Sequence, residues 1–160
     1  MYARDFALIA TPVGTIRLEG GDLALESVTI LPERCGPRAG SAAVTRMATE
    51  QIEQWFAGVR TDFTVPLAAS ATPRGRALRN GIIAIGYGDT ASYGALARQL
   101  GSSARAVGQA CARNRFPILV PCHRILGAGG LLGAYSAGDG PATKQWLLDH
   151  EWRISGRTLL

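Results

Sequence analysis

Lysine is almost missing from this 160-residue chain: Lys144 is the only one of its 17 basic residues that is not arginine. Histidine is scarce as well, with only His123 and His150. The cysteines number three, Cys35, Cys111 and Cys122, and no CxxC pair occurs. An odd cysteine count without a paired motif argues against a disulfide framework. The lack of any Cys or His pair at zinc-ligand spacing argues against a structural zinc site. No metal and no cofactor is therefore expected. No apolar run reaches the roughly 18 residues that a membrane helix needs. The start, Met1-Tyr2-Ala3-Arg4-Asp5, lacks the apolar core and cleavage site of a signal peptide, so the expected location is the cytoplasm, with no membrane partner. What remains, 47% hydrophobic and 18% charged, is the composition of a soluble folded chain.

The charge that is present is unevenly placed. Residues 1–62 carry six arginines against eight acids, whereas residues 63–138 carry eight arginines against one acid, Asp89. Beyond residue 138 the charges cancel, leaving the whole chain at +5. A basic segment built from arginine suits phosphate oxygens and stacking on bases, so DNA or RNA is the natural partner; a passive basic surface is the plainer reading.

The expected architecture is a two-lobe α/β chain, with an N-terminal structural lobe over 1–67 and a C-terminal lobe over 68–160. Alternating patterns predict strands over 6–11, 15–19 and 23–30, an antiparallel meander. An amphipathic helix over 42–56 follows, with Val44, Met47, Ala48, Ile52, Trp55 and Phe56 on its apolar face and Gly58 as its stop. In the second lobe, Thr72-Pro73 opens a helix over 74–85 that Gly75 and Gly81 weaken. Ser92 caps a helix over 93–100, Gly101 turns the chain, and Ser102-Ser103 start a second helix reaching about Arg113. Ala97, Gly101 and Val107 sit where a helix-turn-helix needs a small residue, a turn glycine and a branched apolar contact. Arg105, Gln109 and Arg113 on the second helix are groups suited to DNA.

Residues 117–120, Pro-Ile-Leu-Val, read as a buried strand or extended segment leading into Pro121-Cys122-His123-Arg124. A nucleophilic cysteine needs thiolate character from a neighbouring base and positive charge. His123 and Arg124 supply both residue types, although neighbours on an extended chain point apart and a bridging water would then carry the proton. The base needs an orienting carboxylate, and Asp139, Asp149 and Glu151 are the downstream choices. An inert buried thiol and a structural histidine are the alternatives.

Together these residues form a specific pattern. Arg105-Ala-Val-Gly-Gln-Ala, Asn114, Pro117-Ile-Leu-Val-Pro-Cys-His-Arg-Ile125, Gly133-Ala-Tyr-Ser136, Lys144 and Leu147-Leu-Asp-His-Glu151 resemble the methylated-DNA–protein-cysteine methyltransferases, also called O6-alkylguanine-DNA alkyltransferases. The resemblance spans residues 87–151. It implies a ribonuclease-H-like antiparallel-sheet lobe, followed by a mostly helical lobe carrying the helix-turn-helix. It also implies a single-turnover transfer from O6-alkylguanine, with O4-alkylthymine as a second substrate, in double-stranded DNA. By this resemblance Cys122 is the acceptor, His123 its water-bridged base and Glu151 the orienting carboxylate. Asn114 braces the active-site turn, and Tyr93 donates to guanine N3. Tyr135, Ser136, Ile125 and Lys144 contact the flipped base, with the Ser136 amide reaching the guanine oxygen and the Ile125 carbonyl accepting from the amino group. Arg105 fills the vacated place in the stack, and Ala104, Gln109, Arg113, Arg115 and Arg124 are the further DNA contacts. A monomer is the expected state, and cooperative binding on DNA is left open.

The chain departs from the family pattern in four places. Asn114 is followed by Arg115 and not Pro, Ala137 replaces the first of two glycines after Tyr135-Ser136, Gly86 replaces Pro, and Arg74-Gly75 with Leu78-Arg79 replace Phe-Gln and Val-Trp. Three rival readings are a lesion-binding relative that does not transfer, a helix-turn-helix regulator and a cysteine hydrolase. Alkyltransferase-like proteins lack the cysteine, and Cys122 argues against the first of these.

Overall fold

The computed structural model describes residues 4–156; the opening Met1–Ala3 and residues 157–160 lie outside the described residues. The chain divides into two compact units, Met1–Ala69 and Ser70–Leu160.

In the first unit, strands β1 (Asp5–Thr11), β2 (Gly14–Gly20) and β3 (Leu25–Leu31) form an antiparallel meander in the order β1-β2-β3. The register pairs Ile9 with Ile16, Ile16 with Ile30 and Leu18 with Val28. Because side chains alternate along a strand, this register gathers Ala7, Ile9, Ile16, Leu18, Val28 and Ile30 into the buried layer. Leu23, expected to open the third strand, instead lies in the preceding turn and is 75% exposed.

Helix α1 (Ala43–Phe56) packs on this sheet through Val44, Ala48, Ile52 and Trp55. Its own N-cap, Ala42, makes no side-chain cap. The free N–H groups are met from elsewhere: Asp5 Oδ2 accepts from the amides of Ser41 and Ala42 at 2.9 Å each, and Asp22 Oδ1 accepts from Ala43 at 3.2 Å. The negative carboxylates also suit the positive end of the helix dipole. Met47 was expected on the apolar face but is 41% exposed, since it lies about one residue step off the buried stripe of the helix.

The second unit is mostly helical. In α2 (Pro73–Ile83), Thr72 Oγ1 accepts from the Gly75 amide at 3.0 Å, and Leu78 and Ile82 are buried. Gly81 has a packing reason: a Cβ there would meet Leu100 Cδ1 at 2.5 Å. Helices α3 (Tyr93–Gln99) and α4 (Ala104–Ala112) start on Ser92 and Ser103, whose hydroxyls accept from Ala95 and Ala106 at 3.0 and 3.1 Å. Gly101 turns the chain between them at φ +62°, and the helices pack together around Leu96, Ala97 and Val107. A short parallel pair, β4 (Ala91–Ser92) with β5 (Ile125–Leu126), and helix α5 (Pro141–Ile154) complete the unit. No helix among the described residues is long and apolar enough to cross a membrane.

Residues 117–120 are not a strand. Val120 N–H donates to Phe116 O at 2.8 Å, closing a turn in which Ile118 adopts φ +75°. A β-branched residue at positive φ is strained, at a cost of order 1–3 kcal/mol, and the turn's burial is what holds it. The run is apolar because it is an interior turn.

The two sides of α1 set a stability contrast. Ile52→Ala should cost about 2–5 kcal/mol, whereas Met47→Ala should stay within about 0.5 kcal/mol. Urea unfolding of the two variants beside the parent measures the difference.

Candidate active site

The sequence Pro121-Cys122-His123-Arg124 folds as a 3₁₀ turn over Cys122–Arg124, closed by Arg124 N–H to Pro121 O at 3.0 Å. The tight turn, following the interior turn at 117–120, buries all three side chains. It separates the functional groups: Cys122 faces the end of α4, while His123 and Arg124 both reach α5.

Asn114, just beyond α4, holds the sulfur. Its Nδ2 lies 3.4 Å from Cys122 Sγ and 2.9 Å from Val120 O, and its Oδ1 accepts from Phe116 N–H at 2.9 Å. One amide thus ties both ends of the strained turn to the cysteine. A second thiol is present to which the sequence reading gave no role: Cys111, half-buried on the last turn of α4. The signal for it was its spacing of three residues before Asn114, which puts both on the same helix end. The Cys111 hydrogen bond and burial push the Cys122 thiol well above its ordinary range, against the Asn114 amide and the Lys144 ammonium. The Cys122 hydrogen bond pulls Cys111 the other way, against its own burial.

Glu151 on α5 is completely buried and fully engaged. Its Oε2 accepts from His123 Nε2 at 2.7 Å and Arg124 Nη2 at 2.8 Å, and its Oε1 accepts from Arg124 Nε at 2.9 Å and the Gly88 amide at 3.1 Å. Burial opposes its ionisation, yet the His123 and Arg124 hydrogen bonds hold its carboxyl down at about 2. Burial lowers His123 from its ordinary value against the pull of Glu151, so the imidazole is neutral with Nε2–H directed to the carboxylate. Of the three downstream carboxylates, Glu151 is the one on His123; the Asp149 side chain bonds Gln145 on the exposed side of α5.

Arg124 requires a correction. Expected among the DNA contacts, it is 6% exposed, with its guanidinium on Glu151 and its Nη1 on Ile85 O at 2.7 Å. A buried carboxylate demanded a buried cation, and the arginine beside it in the turn was committed inward.

Tyr93, the first residue of α3, is half-buried, and burial followed by the two thiols raises its phenol, which stays protonated. Lys144 is fully buried: its Nζ bonds Ala134 O at 3.3 Å and stands 5.9 Å from the Tyr93 ring centre. Burial lowers it, while the two thiols favour its charge. The Tyr135 hydroxyl is buried, Ser136 is exposed on the same loop, and Ile125 is buried in β5. The fold therefore brings together Cys122, Asn114, Tyr93 and Lys144, with His123 and Glu151 behind them. Ala104, Arg105, Gln109, Arg113 and Arg115 are all exposed on or just after α4.

Glu151→Gln should destabilise the protein by about 3–5 kcal/mol, because Arg124 is left buried without its counter-charge. In the parent, Glu151's contribution is complete above its ordinary 4.5 and is lost as pH falls through about 2. Denaturant midpoints across acid pH, parent against variant, should converge in that window.

Comparison with known proteins meets this geometry. Residues 75–153 match the family described as 6-O-methylguanine DNA methyltransferase, DNA binding domain. A methylated-DNA–protein-cysteine methyltransferase of Mycolicibacterium paratuberculosis is 37% identical, over 97% of this chain and 96% of its own. A DNA base-flipping protein of Thermus thermophilus is 38% identical over 89% of this chain and 97% of its own. The crystal structure of Mycobacterium tuberculosis OGT in complex with DNA superposes with a TM-score of 0.80 at 34% identity, covering 93% of each chain. With a relative of this similarity aligned along nearly its whole length, and a buried Pro-Cys-His-Arg turn braced by Asn114 and Glu151, the chain belongs to the methylated-DNA–protein-cysteine methyltransferase family.

Proposed function

We propose that this protein repairs DNA directly, moving the alkyl group of an O6-alkylguanine irreversibly onto Cys122. The observation that carries the reading is the Cys122 sulfur, held by Asn114 Nδ2 at 3.4 Å beside the buried His123–Glu151 pair. A thiolate is the protein nucleophile best suited to a saturated carbon. Because burial and Cys111 keep the resting thiol protonated, a base must act. His123 is neutral with its proton on the Glu151 side, so the basic position is the other ring nitrogen, and a bridging water links it to the sulfur.

As the S–C bond forms, the C–O6 bond breaks and its electron pair passes to guanine. Tyr93, whose phenol is held protonated, donates to guanine N3 and improves the leaving group. The Ser136 amide and the Ile125 carbonyl orient the base, and Tyr135 and Lys144 shape the loop around it. The target carbon lies inside the base stack, so the nucleotide is flipped out at a cost of a few kcal/mol, least for a poorly paired lesion. Arg105, exposed at the start of α4, fills the gap, while Ala104, Gln109, Arg113 and Arg115 lie along the duplex through phosphate and shape contacts. The thioether product has no route back, so each molecule acts once. O4-alkylthymine offers the same displacement. The working state is a cytoplasmic monomer on double-stranded DNA. Residues 1–67 serve as structural support, and 68–160 carry DNA binding and transfer.

Mixing the protein with a duplex holding one O6-methylguanine should add one methylene to the Cys122 peptide in stoichiometric yield, read by intact and peptide mass spectrometry. Tight lesion binding with no mass change would replace transfer by lesion recognition alone. Cys122→Ala should abolish transfer and keep DNA binding. Arg105→Ala should slow repair of duplex far more than reaction with free O6-alkylguanine base; equal loss on both would remove Arg105 from the flipping step.

A further inference from the structure

Two places where this chain departs from the family pattern converge on one buried ring. Arg79 stands on α2 where the pattern has Trp, and Arg115 follows Asn114 where the pattern has Pro. They are far apart in sequence. Yet the Arg79 guanidinium carbon lies 5.2 Å from the ring centre of Phe116, the residue next to Arg115. Phe116 is only 1% exposed, so its ring is a fixed floor. Its amide donates to Asn114 Oδ1 at 2.9 Å, and its carbonyl accepts from Val120 N–H at 2.8 Å. Arg115 is therefore rooted at the base of the cysteine turn, between two residues that the turn's hydrogen bonds fix.

Little in this neighbourhood cancels the positive charge. Arg115 is exposed, and among the described residues no carboxylate forms an ion pair with it. Asp89 is the only acid in residues 63–138. Arg76, one turn before Arg79 on α2, and Arg113, the C-cap of α4, add two more exposed arginines. Helices α2 and α4 pack together, so the fold of this unit sets the convergence. Burial, and then the charge of Arg115, lower Arg79 from its ordinary value. Like charges brought together from separate elements raise the energy of the fold, and a shared anion lowers it.

We propose that Arg79 and Arg115 form a two-arginine site for one backbone phosphate of the bound duplex, built on Phe116 at the base of the cysteine turn. Guanidinium suits the task, because its planar fork matches phosphate oxygens. Stacking on Phe116 orders the Arg79 side chain beforehand, which reduces the entropy lost on gripping an anion. The place also fits a duplex. Helix α4 has nine residues and is about 14 Å long. A duplex lying along it presents about eight phosphates over that length. One of them can reach Arg115 while Arg105, at the other end, enters the stack. The DNA face thereby extends from α4 onto α2. Asn114, the residue before Arg115, holds the Cys122 sulfur at 3.4 Å, so the phosphate anchors the duplex beside the acceptor's brace. Such a contact positions the duplex and reads no base. The proposal rests on the DNA-repair reading, which supplies its ligand.

Affinity for an undamaged duplex, measured across salt concentrations, tests the site without requiring transfer. The variants are Arg79→Met, which keeps a stem over Phe116 without the charge, Arg115→Gln, and the two combined. Thermal unfolding checks that each is folded. The slope of log affinity on log salt counts neutralised phosphates, about 0.9 for each. One phosphate held by two arginines stays neutralised when either is removed. Each single variant should therefore bind several-fold more weakly with the parent slope, and the double variant should lose about 0.9 from the slope. Losses of about 0.9 in each single variant and about 1.8 in the double would show two separate contacts and overturn the shared site. Parent-like affinity in either single variant would overturn it as well. Arg115 is exposed, so Arg115→Gln decides between a shared and a separate phosphate even where Arg79→Met does not fold. Absence of methyl transfer to Cys122 in the parent would instead count against the transfer reading, and the slopes would still decide the phosphate site.

Discussion

A single buried carboxylate organises the second unit. Glu151 enters from α5, far along the chain from the residues it meets, and five hydrogen bonds from His123, Arg124 and Gly88 converge on it. A charge out of water survives only when its oxygens are satisfied and its counter-charge is near. Arg124 supplies the counter-charge, and its remaining Nη1 on Ile85 O extends the tie to the end of α2. Three segments of the unit are thereby referenced to one point, and the cysteine turn inherits its position from them.

What sits on that reference is strained and compact. Ile118 at positive φ and the 3₁₀ turn at Cys122–Arg124 are conformations that a free peptide would leave. Asn114 opposes this by spending its whole amide on the turn and the sulfur. The result is a site in which the proposed acceptor cannot drift, the neutral imidazole is oriented by Glu151, and the Tyr93 phenol remains a proton donor. Pre-set geometry of this kind lowers the barrier by removing the need to order groups during reaction. Its accompaniment is the Cys111 thiol, whose proximity raises Cys122 and makes a base necessary.

The arginine-rich character of the basic segment divides by depth. Arg105, Arg113 and Arg115 remain exposed around α4, where a polyanion can reach them, while Arg124 of the same segment is buried and serves the fold. Counting charge along a chain cannot separate these two uses, because both need the same guanidinium: one as a phosphate fork, the other as a carboxylate fork.

Local chemistry made much of the chain legible. Thr72, Ser92 and Ser103 announced helix starts because a hydroxyl cap acts within three residues. Alternation showed the meander, and the Pro-Cys-His-Arg run with its distant Asn, Tyr and Glu named the family, since those residue types at those spacings serve one chemistry. The misread places are those decided by partners remote in sequence. Asp5 and Asp22 cap α1 across the sheet, and Leu100 explains Gly81. Pro117 to Val120 is apolar because it is interior, which a strand and a buried turn share. By itself the sequence determined periodicity, caps and the inventory of reactive groups, all of which act over a few residues. Only the tertiary structure decided which carboxylate met His123, that Arg124 turned inward, and that Asn114 came to rest on the Cys122 sulfur, because burial and three-dimensional proximity are properties of the packed chain.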